Sequence, residues 1–253
     1  MNAHPLLPKL RQLKLSGMLE TLDVRAAQAT ERQLSATEFL ALLLDDELER
    51  RSQQRLGRSL ALSGCDTHKT LASFDFSAAP HVNRTLIQDL ATCTFIPRHE
   101  NILFSGPSGV GKSHIANAIA IEALKREYRV LCKPAHRLLT DLHAARASGA
   151  YPRLMTRILH SDLIVLDDFG LQPLSAQAVQ DLYEIITERY EHGSIIITSN
   201  RAFEEWAEVF NNDLLASAAL DRLTHHAHPI IIRGDSFRQR NRKKEVTPLE
   251  NPV

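Results

Sequence analysis

The sequence predicts an α/β fold in which a parallel, doubly wound, five-stranded sheet follows a small all-helical N-terminal region. Three observations carry that reading. From residue 101 onward, short apolar runs alternate with stretches of helical periodicity, the texture of a parallel sheet covered by helices on both faces. A glycine-rich loop separates the first such run from the first such helix. Before residue 70, β-branched residues are few and Leu, Ala, Glu, Arg and Gln dominate, which favours helix.

Taken in order, Leu6, Leu10 and Leu13, then Met18 and Leu22, then Phe39, Leu40, Leu43, Leu44 and Leu48 recur at helical spacing. Two or three amphipathic helices are expected over residues 1–70. The second should open near Ser35, which with Glu38 has the spacing of a capping box. The Leu-rich stripe over 34–48 reads as core packing rather than a partner groove. Residues 71–97 read as a linker, with an extended Phe74-Asp75-Phe76 stretch, a turn at Pro80, a short helix and Pro97. The expected strands are 101–105, 129–133, 162–167, 194–199 and 229–233. The helices between them should span 112–127, 135–147, 175–191 and about 203–226. One α/β domain is therefore expected over 98–240, followed by a basic tail over 241–253 without regular structure.

Composition narrows the class. The chain has 253 residues, 43% hydrophobic and 24% charged, a globular balance. Thirty basic residues face thirty acidic ones, so any nucleic-acid binding must come from local clusters rather than from net charge. Cys65, Cys93 and Cys132 lie far apart without a CxxC pair, which argues against a disulfide framework or zinc ribbon and fits a reducing compartment. The longest apolar run, Phe39 to Leu44, is far short of a membrane span, and the N-terminus lacks the features of a secretory signal. A cytoplasmic protein without a membrane partner is expected.

The strongest chemical signal is Gly106-Pro107-Ser108-Gly109-Val110-Gly111-Lys112-Ser113, a complete G-x-x-x-x-G-K-[ST] string set between a strand and a helix that continues with His114. Glycines open backbone angles closed to other residues, so successive N–H groups can turn inward around phosphates. The following helix presents its positive end to the same anion. Lys112 adds charge at the β- and γ-oxygens, and the Ser113 hydroxyl can ligate Mg²⁺. The second signal is Leu163-Ile164-Val165-Leu166-Asp167-Asp168, a buried strand that ends on two acids. Such a strand delivers carboxylate to the edge of the sheet where ligands bind. Asp167 is expected to hold Mg²⁺ and Asp168 to orient an attacking water; the other reading of the pair is a helix N-cap after a strand. The third is Ser194 to Asn200, a strand ending in Ser-Asn, which sets an amide at the same edge, although Asn after a strand is commonly just a turn former.

With these elements in order, the chain resembles the additional-strand P-loop ATPases, specifically AAA+ proteins. The resemblance sharpens over FDFSAAP, FIPRHENILFSGPSGVGKSHIANAIA, LIVLDDFGLQPL, ERYEHGSIIITSNRAFEEWAEVF and ALDRLTHHAHPIIIRGDSFR. These strings are similar to the IstB-like family, ATP-binding helpers encoded beside the transposase of certain bacterial insertion sequences. The same core is similar to replicative helicase loaders of the DnaC type, which is the alternative reading. The resemblance implies ATP and Mg²⁺ as cofactors and an inserted strand carrying Asn200 between the phosphate-loop and acidic strands. It implies an arginine finger at Arg222 that reaches a neighbouring subunit's nucleotide, and a second arginine at Arg238. It further implies a homo-oligomer with nucleotide sites between subunits, working on duplex DNA with a cognate transposase. The few residues after Arg238 are expected to leave no room for a full C-terminal lid. One departure stands out: most AAA+ proteins carry Glu where this chain has Asp168, so turnover is expected to be slow or partner-stimulated. A small-molecule P-loop kinase, active as a monomer, is the reading from a different class.

Two basic clusters are candidates for DNA contact: Arg50, Arg51, Arg55 and Arg58, and Arg233, Arg238, Arg240, Arg242, Lys243 and Lys244. Neither has interleaved aromatics for base stacking, so salt-dependent, non-specific duplex contact is preferred. Both clusters could also be ordinary solvated surface. His225, His226 and His228, at i, i+1 and i+3, read as a helix end beside a strand rather than a metal site.

Overall fold

The computed structural model describes residues 5–234, 236 and 237. They form two compact units divided between Ser59 and Leu60, so the division falls earlier than the change of sequence texture at residue 70.

The first unit is helical. Its elements are α1 (Leu7–Gln12), α2 (Ser16–Glu31) and the start of α3 (Ala36–Ser63). The capping box opens α3 as the spacing predicts: the Glu38 amide donates to Ser35 Oγ at 3.3 Å, and the Ser35 amide donates to the Glu38 carboxylate at 2.8 Å. Met18, Leu22 and Leu43 form the small core, with Phe39 packed against it. The Leu-rich stripe departs from expectation, because Leu40, Leu44 and Leu48 are exposed. A helix covered on one face only buries the residues that point at its partner, here Leu43 and the Glu47 carboxylate, which accepts from the Gly17 amide at 2.7 Å.

The second unit takes in the end of α3 and the segment 71–97 that the sequence suggested as a linker. That segment contains α4 (Arg84–Leu90), capped by Asn83, and it buries Val82, Ile87, Cys93, Phe95 and Ile96. It is thus part of the packed body. The sheet follows: β1 (Asn101–Ser105), α5 (Lys112–Lys125), β2 (Val130–Pro134), α6 (Ala135–Ala147), α7 (Tyr151–Leu159), β3 (Leu163–Phe169), α8 (Ala176–Arg189) and β4 (Ser194–Ser199). After a 3₁₀ turn at Phe203–Glu205 come α9 (Trp206–Phe210), α10 (Asp213–His225) and β5 (Ala227–Ile231). All pairings are parallel and the strand order is β2-β3-β4-β1-β5. Every residue of β1 and β4 is buried, as strands covered on both faces require.

Three local departures have physical causes. The expected long helix over 203–226 is broken at Asn211, which takes a left-handed conformation (φ 47°), and Asn212 then caps a new helix by accepting from the Leu215 amide. The helix α7 escaped the sequence reading because Pro152 stands inside it, but proline is tolerated at a first turn, where its missing N–H has no intrahelical partner. The last strand starts at Ala227 rather than 229 because its register is set against β1, with Asn101 opposite Ala227, and the Asn101 amide donating to the His226 carbonyl at 2.7 Å.

Two buried polar side chains tie the sheet to its surroundings. Asn101 donates to the Leu223 carbonyl at 3.1 Å and accepts from the Ile195 amide at 2.9 Å, joining β1, β4 and α10. Arg189, 2% exposed, donates to the carbonyls of Ser161, Asp162 and Ser194 at 2.6, 3.1 and 2.8 Å, and burial pushes its guanidinium down to about 10. The fold also brings together two cysteines that are 67 positions apart: the Cys65 and Cys132 sulfurs lie 2.6 Å from one another.

Candidate functional site

The loop 106–111 leaves β1 at its carboxyl end and feeds α5, whose N-cap is Gly111. Two glycines here are dictated by geometry. Gly106 has φ 144°, and a Cβ at that position would lie 2.0 Å from the Ile232 carbonyl oxygen. Gly111 has φ 103°, and a Cβ would press on the Phe74 ring at 2.7 Å. The loop carbonyls of Gly106 and Pro107 each accept from the Lys112 ammonium at 2.7 Å, which holds this buried lysine against the loop.

A cavity of about 620 Å³ opens beside the loop. Its walls include Ser108 through His114, Asp167, Asp168 and Asn200, together with Lys69, Ser73, Phe74 and Asp75 from the segment before α4. The loop, the acidic strand end and the Asn-bearing strand end, read separately from the sequence, thus meet in one place. They do so because β4 lies between β1 and β3, so all three strands end at the same sheet edge. Gly106 and Pro107 are not among the cavity-lining residues; they contribute carbonyls to Lys112 instead.

Consecutive strand residues point to opposite faces, yet Asp167 and Asp168 both line this cavity. A bulge resolves the conflict. Leu166 pairs with Ile197 and Phe169 with Ser199, so β3 spends one residue more than β4 over the same distance, and Asp168 takes φ 55°. Asp tolerates the left-handed region better than most side chains, which favours Asp over Glu at this position. The bulge is pinned by Thr198, a fully buried residue of β4 that the sequence reading passed over. Its hydroxyl donates to the Asp167 carboxylate and accepts from the Asp168 amide at 3.1 Å. A polar residue inside an otherwise apolar run, SIIITS, was the available signal.

The 66–75 segment was also missed as part of the site. It is held against α5 by Asn117, which donates to the Asp66 carbonyl at 2.7 Å and accepts from the Asp66 amide at 2.9 Å. His114 contributes through Nε2, 2.8 Å from the Thr70 carbonyl, and through an edge contact with Phe74. Its side chain therefore fastens this wall of the cavity as well as lining it.

Ser113 and Asp167 offer a hydroxyl and a carboxylate to the same cavity, an all-oxygen donor set of the kind Mg²⁺ prefers. Arg222 lies elsewhere. It sits in the last turn of α10, next to the Leu223 carbonyl that Asn101 binds at the start of β1, whereas the loop leaves the far end of that strand. Five strand residues, about 16 Å, separate the two edges. Its guanidinium donates to the Ala218 carbonyl at 2.8 Å and stands 5.7 Å from the Tyr183 ring centre. Arg238 lies outside the described residues, as do Arg240, Arg242, Lys243 and Lys244 of the basic tail. In the other basic cluster, Arg50 pairs with Glu20 and Arg51 with Glu47 within the first unit.

A parallel sheet of this order, with a G-x-x-x-x-G-K-S loop on β1, acids on β3 and Asn after β4, defines a P-loop nucleotide-binding protein of the AAA+ class. Solved structures agree at the level of the fold: a DnaC helicase loader has TM-score 0.52 at 22% identity, covering 58% of this chain and 86% of that one. AMPPCP-bound DnaA from Aquifex aeolicus has TM-score 0.58 at 21% identity, covering 75% of this chain and 58% of that one. The chain belongs to the family of IstB-like ATP-binding proteins, whose sequence profile matches residues 8–245. An ATP-binding protein of insertion sequence IS21 from Pseudomonas aeruginosa is 33% identical over 98% of this chain and 94% of its own length. An insertion-sequence ATP-binding protein from Mycobacterium tuberculosis is 38% identical over 94% of this chain and 95% of its own. No helix among the described residues is long and apolar enough to cross a membrane.

Proposed function

We propose that this chain hydrolyses ATP, assembles on duplex DNA in an ATP-dependent manner, and assists the transposase of an insertion sequence. The membership of the IstB-like family and the insertion-sequence names of its relatives support the transposition context. Within the site, Lys112 and the loop amides bind the β- and γ-phosphates, and Ser113 and Asp167 hold Mg²⁺. The metal supplies charge neutralisation on the phosphate oxygens. Asp168 orients the attacking water and Asn200 contacts the γ-phosphate.

The observation that carries the reading is the distance of Arg222 from its own nucleotide cavity, a full strand length across the sheet. An arginine finger there can act only on a neighbouring subunit, so catalysis requires assembly. The short Asp168 side chain on its bulge favours slow turnover that a partner accelerates.

The test combines sedimentation and ATP hydrolysis with and without long duplex DNA. Arg222→Ala should bind ATP yet lose about 10³-fold or more in turnover. Mixing Arg222→Ala with Lys112→Ala should restore part of the activity, because each supplies what the other lacks across an interface. A monomer whose DNA-independent turnover is untouched by Arg222→Ala would overturn the proposal in favour of a small-molecule kinase. Preference for single strands together with capture of a hexameric helicase would move it to a helicase loader.

A further inference from the structure

We propose that Glu191, His225 and His226 form a Zn²⁺ site at the corner where α10 turns into β5. The three residues each offer a ligand atom, and these atoms all lie within 4.8 Å of one another. Zinc bonds of ~2.0–2.2 Å in a tetrahedral arrangement bring ligand atoms to within about 3.5 Å, so small side-chain rotations close the site. Two imidazoles and one carboxylate suit zinc and leave a fourth position for water or for a donor from another molecule. Two nitrogen donors do not suit Mg²⁺, so this site is chemically separate from the one at Ser113 and Asp167.

The ligands stand on anchored backbone. His226 is fixed by its carbonyl, which accepts from the Asn101 amide at 2.7 Å, and the preceding turn by the Leu223 carbonyl, which accepts from the Asn101 side chain. Glu191 sits at φ 60° in a turn whose next two amides, of His192 and Gly193, both donate to the Arg189 carbonyl at 3.0 Å. The buried Arg189 side chain clamps the base of that turn to the start of β4. His225 also has a neighbour that holds its ring: its Nδ1 lies 2.9 Å from the Tyr190 hydroxyl, which in turn is hydrogen-bonded to the Glu191 side chain. The last carbonyls of α10, at the negative end of its dipole, add to the attraction for a cation.

Spacing along the chain pointed away from this site because the third histidine is diverted. His228 lies on β5, where its Nε2 meets the Glu100 carboxylate at 2.9 Å. The third ligand is supplied instead by Glu191, 34 positions before His225 and brought in by the α8–β4 turn. All three ligands are exposed, so metal can enter and leave freely.

The experiment titrates the purified full-length protein at pH 7.5 with ZnSO₄ against a chromophoric chelator, and separately with Co²⁺ read by absorption. The expected result is one Zn²⁺ per chain that is weakened roughly tenfold or more by His225→Ala, by His226→Ala and by Glu191→Gln. His192→Ala, a neighbouring exposed histidine outside the ligand set, should bind like the wild type. Cobalt should show visible d–d bands without a thiolate charge-transfer band. Circular dichroism of each variant separates loss of metal from loss of fold. Absence of zinc uptake, wild-type affinity in the three ligand variants, or a thiolate charge-transfer band placing the metal at Cys65 and Cys132 would each overturn the proposal.

Discussion

Thr198→Val keeps the shape of a β-branched residue in β4 and deletes only the hydroxyl between Asp167 and Asp168. The wild-type residue is wholly buried, so water cannot replace what is lost. Two hydrogen bonds disappear: one to the Asp167 carboxylate, and one from the Asp168 amide at 3.1 Å. A bond to a charged group contributes about 1.5–3 kcal/mol, and at 1.36 kcal/mol per decade its loss corresponds to roughly 10- to 100-fold. That loss should fall on the Mg²⁺ concentration needed for ATP turnover, because Asp167 is the proposed ligand and becomes free to rotate. Stability should fall by about 1–3 kcal/mol as the Asp168 amide loses its bond to the Thr198 hydroxyl, without unfolding the sheet. The assay is steady-state ATP hydrolysis against Mg²⁺ for wild type, Thr198→Val and Thr198→Ser, with thermal melts of each. Thr198→Ser retains the hydroxyl and should recover most of the Mg²⁺ affinity. If the Val and Ser variants share one Mg²⁺ dependence, the hydroxyl does not position Asp167 and the reasoning fails.

Gly111→Ala should weaken nucleotide binding by more than tenfold while the protein stays folded, since the added Cβ meets the Phe74 ring at 2.7 Å at a φ that alanine resists; fluorescent-nucleotide titration measures it. Asp46 should govern the acid response of the first unit. The Arg25 guanidinium, bonded to it at 2.6 Å, holds its carboxyl down to about 2, below the ordinary value of about 3.9. The stabilisation from this depressed acid is therefore complete above pH ~4 and disappears as pH falls towards 2. Asp46→Asn should destabilise the unit at pH 7 and flatten its acid transition in that window, followed by amide hydrogen exchange of α2 and α3 in the full chain.

Local patterns in the chain determine much of this protein's fold. The alternation of apolar runs and helical stretches placed the five strands within two residues, because strands covered by helices on both faces read as short, largely apolar runs. The phosphate loop was equally plain, since Gly106 and Gly111 occupy backbone angles and clearances that other residues cannot share. Tertiary structure decided what depends on residues far apart in the chain. The order β2-β3-β4-β1-β5 put Asn200 beside the loop, and a bulge whose extra residue is counted only against β4 turned both Asp167 and Asp168 into one cavity. The 66–75 wall and the junction of Glu191 with His225 and His226 have no local spacing to reveal them. Their side chains meet because separate elements are packed against a common sheet, and the free energy that joins them is realised only when the chain closes on itself.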